Sequence, residues 1–198
     1  MFRYGIRLFS CLSVLSFACL SLTGCGGSSS SSATSGTITG QAAKGPCAGS
    51  IATLHTVDAQ GNLSAPIATD TTDQSGNYTL PIPAANANDT LAVRITGGTY
   101  SDEATGVTLT LTQELTGFLK NLDSDGESAL QINPVTTLAF ARVKDLIDEA
   151  AAENRQIPIE EAFTNAELQV RQALGIPDSI DIFKDEPGDL SAGEVTES

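Results

Sequence analysis

Between residues 37 and 111 apolar and polar positions alternate with a period of two, and the runs are short and separated by turn chemistry. Thr37-Ile38-Thr39-Gly40-Gln41-Ala42-Ala43 is one such run. Residues 50–58 place Ile51, Thr53, His55 and Val57 on one face against Ala52, Leu54 and Thr56 on the other. Residues 78–83, 91–96 and 107–111 repeat the pattern, which is that of half-buried strands. Gly45-Pro46 separates the first run from the second. Asp58-Ala59-Gln60-Gly61-Asn62 and Asp73-Gln74-Ser75-Gly76-Asn77 supply turns, since Gly takes positive φ and Asp bonds its own downstream backbone. Strands at near-regular spacing predict an antiparallel β-sandwich or barrel over residues 37–112.

Beyond residue 112 the period changes. Residues 115–119 and 129–132 read as two short strands joined as a hairpin through Asn121-Leu122-Asp123-Ser124-Asp125-Gly126-Glu127. A helix is then expected from Pro134, capped by Asn133, with Val135, Ala139, Val143, Leu146, Ile147 and Ala150 on one face and Asn154 ending it. A second helix is expected to start at Thr164, where Thr164-x-x-Glu167 has the form of a capping box and Phe163 can staple to Leu168, and to stop at Gly175. Ile180, Ile182 and Phe183 are expected to dock as a last extended piece. The fold class is therefore mainly β with a C-terminal helical unit: an antiparallel sandwich plus two or three helices, the hairpin and helical unit spanning residues 113–184. Residues 185–198 are acidic and poor in apolar side chains, and are expected to be disordered.

The first 24 residues follow another logic. Arg3 and Arg7 give a positive start and residues 8–20 an uncharged apolar core, as in a secretory signal, and the run is short for a permanent span. Leu22-Thr23-Gly24-Cys25 at its end resembles the lipobox of bacterial lipoproteins, and the resemblance implies that Cys25 is acylated, with palmitate among its chains, and becomes the mature N-terminus. Two or more chains anchor stably where one binds only reversibly. Gly26 stands where the resemblance would put Asp in a lipoprotein kept at the inner membrane, which favours the outer membrane or cell surface. Residues 25–36, nearly all Gly and Ser after the cysteine, read as a tether with a reach on the order of 20 Å.

Charge narrows the partners. The net charge is −14, or −16 once Arg3 and Arg7 leave with the signal. Such a chain repels a phosphate backbone, so nucleic acid is excluded as a partner. Cys11 and Cys19 leave with the signal and Cys25 is spent on lipid, so Cys47 has no disulfide partner and reads as a small buried hydrophobe.

Candidate chemistry is sparse. His55 is the sole histidine and reads as a half-exposed strand residue, and no catalytic constellation can be written around it, so no enzyme and no cofactor are expected. Asp102-Glu103 and Glu160-Glu161 read as solvated faces and helix-start charges. Asn121, Asp123, Asp125 and Gly126 fit four early positions of a calcium loop, with Glu127 available, but Ile132 stands where its bidentate Glu belongs. A hairpin turn explains the same residues. Without Trp, and with Tyr78 and Tyr100 as the mature chain's tyrosines, aromatic platforms for sugar are few.

Two further resemblances bear on class. Ile38-Thr39-Gly40 followed by residues 71–80, Thr-Thr-Asp-Gln-Ser-Gly-Asn-Tyr-Thr-Leu, resembles the carboxypeptidase-regulatory-like, or prealbumin-like, β-sandwich, whose signature is G-x-V-x-G … T-D-x-x-G-x-[YF]. That implies a non-catalytic module for display, adhesion or spacing. Tyr100-Ser101-Asp102-Glu103-Ala104-Thr105-Gly106 and Asn133-Pro134-Val135-Thr136-Thr137-Leu138-Ala139 are similar to a module of bacterial surface lipoproteins for which no activity is implied. The expectation is a membrane-anchored cell-surface lipoprotein acting as a structural or adhesion module, held to the membrane through Cys25, with a protein or glycan partner. The alternative is a ligand-binding lipoprotein with a weak calcium or glycan site.

Overall fold

The computed structural model describes residues 33–102, 104–119, 122–123 and 126–185. The expected signal segment, Cys25 and most of the expected tether lie outside these residues, as do Asn121, Asp125 and residues 186–198 of the acidic tail.

Among the described residues, nine strands and two α-helices make a mainly β fold with a C-terminal helical unit, as the periodicity predicts. β1 (Thr34–Gln41), β4 (Asn77–Pro83) and β9 (Glu127–Ala129) form one sheet in the order β4-β1-β9. β2 (Ile51–Thr56), β3 (Ala68–Thr71), β5 (Leu91–Thr96) and β8 (Leu115–Leu119) form a second, in the order β3-β2-β5-β8. β6 (Thr99–Ser101) and β7 (Thr108–Thr110) make a separate two-stranded ribbon. Register puts Ile38, Leu80 and Ile82 on one face of the first sheet, and Ala52, Leu54, Val93 and Ile95 on one face of the second. All seven are fully buried, so alternation along the chain becomes a core between two layers.

Several expectations shift. β1 begins at Thr34, so the end of the expected tether is strand; β4 offers a pairing partner as far as Pro83, and Ala84 N–H bonds Ala33 C=O at 2.8 Å. The expected hairpin of residues 115–132 does not form. β8 pairs antiparallel with β5, β9 pairs parallel with β1, and the Asp-Gly loop carries the chain from one sheet to the other. β8 and β9 thus belong to the sandwich, and no boundary at residue 113 separates two bodies within the unit that starts at Ser32.

The first helix, α1 (Pro134–Ala152), starts as its sequence dictates: Asn133 Oδ1 accepts from the N–H groups of Val135 and Thr136, while Thr136 Oγ1 accepts from Asn133 N–H. Its stripe packs against β8, with Ala139, Val143 and Ala150 buried and Val135, Leu146 and Ile147 partly so. Asn154 at φ 57° ends the run. α2 (Ile159–Leu174) begins five residues earlier than its capping box suggests. Pro158 sets the entry, Glu160 and Glu161 complement the first-turn dipole, and Thr164, now inside the helix, bonds back to Glu160 C=O at 3.0 Å. Phe163 is fully buried, whereas Leu168, its expected staple partner, is 49% exposed. Gly175 takes the left-handed C-cap. Neither helix is long and apolar enough to cross a membrane.

The segment after α2 is turn rather than extended chain. Ile182 and Phe183 are buried and Ile180 is exposed. Asp181 holds the turn by accepting from Phe183 and Lys184 N–H, and Phe183 C=O accepts from Gln131 N–H at 2.6 Å.

Candidate functional site

Among the described residues, the candidates His55, Cys47 and Asp123 lie apart, and each is engaged within the fold. His55 is buried rather than half-exposed, at 1% accessibility, because the loop after β2 closes over it: Nδ1 lies 2.8 Å from Ser64 C=O and Nε2 2.8 Å from Thr53 Oγ1. A carbonyl can only accept, so Nδ1 carries a proton. Cys47 is also buried, and that burial pushes its thiol above the ordinary range, against the lowering effect of the Lys44 backbone N–H. Such a shift disfavours the thiolate, the form in which a cysteine acts as a nucleophile.

The acidic turns are occupied by their own backbone. Asp58 accepts from the N–H groups of Asn62 and Gln60, and Asp73 from those of Asn77 and Ser75, which holds both carboxyls below the usual range. Asp102 is lowered chiefly by the Thr105 hydroxyl. These are turn locks repeated at three loops.

In the calcium-like loop, Asp123 faces Lys184, whose Nζ donates to both carboxylate oxygens at 3.0 and 3.1 Å. Asp123 N–H donates to Ser128 Oγ, and Gly126 N–H to Asp123 C=O, so the backbone of Asp123 is tied to both Gly126 and β9. Glu127 lies on β9; Asn121 and Asp125 lie outside the described residues. A cation at Asp123 would have to displace an ammonium already paired there. Among the described residues no three His, Cys, Asp or Glu side chains are grouped to hold a metal. Thermal melts in millimolar calcium and in chelator are therefore expected to coincide within about a degree, since a ligand stabilises only as far as it binds the folded state. A rise of several degrees with calcium, abolished by Asp123→Ala, would contradict this.

Two adjoining depressions meet at this corner and share Ala129 and Lys184. One, of about 210 Å³, lies between the Phe118 and Phe183 rings and the acidic groups of Asp123, Glu167 and Asp181. The other, of about 390 Å³, is a cup on the outer face of the three-stranded sheet. Register puts Thr39, Gln41, Asn77, Thr79 and Ala129 on that face, opposite Ile38 and Leu80. Gln131 is 5% exposed; its Oε1 accepts from Gln41 N–H at 3.0 Å, and its side chain lines the cup. Such a lining can hydrogen-bond hydroxyl or amide groups. Tyr78 is its one aromatic lining residue and is 2% exposed, so the cup offers little aromatic surface. Sequence reading missed the cup because it depends on the parallel pairing of β1 with β9; the one signal was the polar alternation of Thr39/Gln41 and Asn77/Thr79.

No family model matches the chain, and no curated protein does. Among solved structures, a 9R-lipoxygenase from Cyanothece PCC8801 is similar at 12% identity and a TM-score of 0.35, over 66% of this chain and 24% of that one. A likeness at that score carries no argument about fold or activity.

Proposed function

We propose that the protein is a membrane-anchored surface lipoprotein, acylated on Cys25, whose folded unit is a non-catalytic structural or interaction module. The observation that supports this most is where the chain enters the fold. Nine residues after Cys25 it becomes β1, the central strand of its sheet, paired with β4 through Pro83 on one side and with β9 on the other. The strand by which the chain enters the fold is thus held by a ladder on each side, which suits a domain attached through its N-terminal end. The prealbumin-like resemblance of residues 38–40 and 71–80 points to the same class of module, and the buried, internally bonded His55 and Cys47 leave neither as a reactive centre.

The test is metabolic labelling with a palmitate analogue in cells expressing the full chain. Label is expected on the wild type and absent from Cys25→Ala, which moves from the membrane to the soluble fraction. Equal labelling of the two, or equal membrane retention, would sink the reading.

A further inference from the structure

The two main sheets close their edges one by one. On β4, the backbone N–H groups of residues 77, 79, 81 and 83 point away from β1; Asn77 N–H goes to Asp73, Thr79 N–H to Asp70 of β3 at 2.7 Å, and Pro81 and Pro83 have none. β3 lies against β4 through that Asp70 contact. On β8 every residue is buried, and Thr116 N–H is taken by Thr137 of α1. Past β9, Gln131 N–H is taken by Phe183 C=O. These are the devices by which a sheet avoids adding a foreign strand.

β7 has no such cover among the described residues. Its three residues are all exposed, as is Val107 before it. Leu111 N–H bonds Gly98 C=O and Asp102 N–H bonds Val107 C=O, so residues 107, 109 and 111 turn their backbone groups toward β6. Thr108 and Thr110 turn theirs outward. The segment Val107-Thr108-Leu109-Thr110-Leu111 is β-branched and apolar, has no Pro, and sits in a stretch, residues 104–113, with no charged side chain in a chain of net charge −14.

We infer that β7 pairs antiparallel with β7 of a second copy of this chain. The occupant follows from self-complementarity. Centred on Leu109, the pairing sets Thr108 against Thr110 of the other copy twice over, and these are the residues whose backbone groups are free, so four N–H···O=C bonds form. Leu109, 40% exposed, then meets Leu109 as the non-hydrogen-bonded pair, where side chains approach closest; Val107 comes opposite Leu111, whose own side chain is already buried in its core. The apolar pattern reads the same in both directions, as a two-fold interface requires. Two acidic molecules also meet with least repulsion at an uncharged edge. The interface is short and therefore weak in dilute solution; confinement at a membrane would raise the effective concentration of copies.

Disulfide trapping of the full chain in membranes tests this. In the central pair the two Cα atoms are about 4.5 Å apart, within disulfide reach, so Leu109→Cys should cross-link to itself under mild oxidation. Thr108→Cys and Thr110→Cys place their thiols on diagonal neighbours about 7–8 Å apart and should give at least tenfold less dimer. Adding Thr110→Pro to Leu109→Cys removes an outward N–H at a position where an edge strand tolerates Pro, and should reduce the dimer to the level of the parent chain while leaving the melting temperature within a few degrees. The same order of yields is expected in Cys25→Ala, which separates this result from the anchoring reading. Equal yields at the three positions, no dimer from Leu109→Cys, a cross-link to a different protein, or a dimer indifferent to Thr110→Pro in a folded chain would each overturn the pairing.

Discussion

Phe163→Ala is expected to destabilise the whole described unit by about 3–5 kcal/mol, the cost of truncating a buried aromatic, and to do so in one cooperative transition. Phe163 projects from α2 with no exposure, and its ring stacks on Phe118 of β8 with centroids 3.9 Å apart and planes 13° from parallel. Phe183, from the segment after α2, tilts against the same Phe118 ring at 4.4 Å. One cluster therefore joins the second sheet, the second helix and the C-terminal turn. An amphipathic helix draws most of its stability from such burial, so α2 cannot loosen without releasing Phe118. A loss of this size is a large share of the roughly 5–15 kcal/mol that holds a domain. Leu168→Ala, on the same helix but 49% exposed, should change stability by less than about 0.5 kcal/mol. Near-ultraviolet and far-ultraviolet circular dichroism should then report one shifted melt. Two transitions, or a shift no larger than that of Leu168→Ala, would show that the helices form a separate body.

How much of this was legible in the sequence follows from the range of the interactions involved. The Asn133 cap, the Gly175 stop and the locks at Asp58 and Asp73 are set within five residues, and the chain spells them out. Strand alternation located the strands of Ile38, Leu54 and Leu80, because burial on one face imposes a period of two, but left open which face of residues 50–58 is the core. Longer-range partners were not legible. A short apolar run does not declare which sheet it joins, so residues 115–119 and 129–132 read as neighbours when each pairs with a strand far back in the chain. Thr164 and Glu167 matched a capping pattern because i and i+3 spacing is common to every helix; the true start was set by Pro158 and by the need to bury Phe163. His55 looked half-exposed because its own strand places it beside Thr53, and only the returning loop at Ser64 covers it. The cup lined by Gln131 was hidden for the same reason: its walls come from three strands and a distant Lys184.

The second large effect is expected at Gly40, where the central strand leaves room for a neighbour's backbone. A Cβ built there would fall 1.9 Å from Leu130 O and 2.9 Å from the Tyr78 hydroxyl. Those two atoms are themselves bonded: Tyr78, opposite Gly40 in the register, donates its buried hydroxyl to Leu130 C=O at 2.5 Å. That contact replaces a rung of the β1–β9 ladder, because Gln41 N–H is directed to the Gln131 side chain at 3.0 Å while Thr39 C=O keeps the ordinary bond from Leu130 N–H at 2.9 Å. Gly40 thus serves close approach rather than an unusual φ. Gly40→Ala must push Leu130 away, straining both β9 and the buried hydroxyl bond, and should cost about 3 kcal/mol, the upper end of the usual range for overpacking. Tyr78→Phe should cost about 1–3 kcal/mol by leaving the buried Leu130 carbonyl without its donor. The double variant distinguishes the two contacts. Removing the hydroxyl relieves the 2.9 Å approach but not the 1.9 Å one, so Gly40→Ala/Tyr78→Phe should be no more stable than Gly40→Ala alone. Urea denaturation measures all three, and recovery of most of the lost stability in the double variant would mean that the hydroxyl, not the Leu130 backbone, requires the glycine.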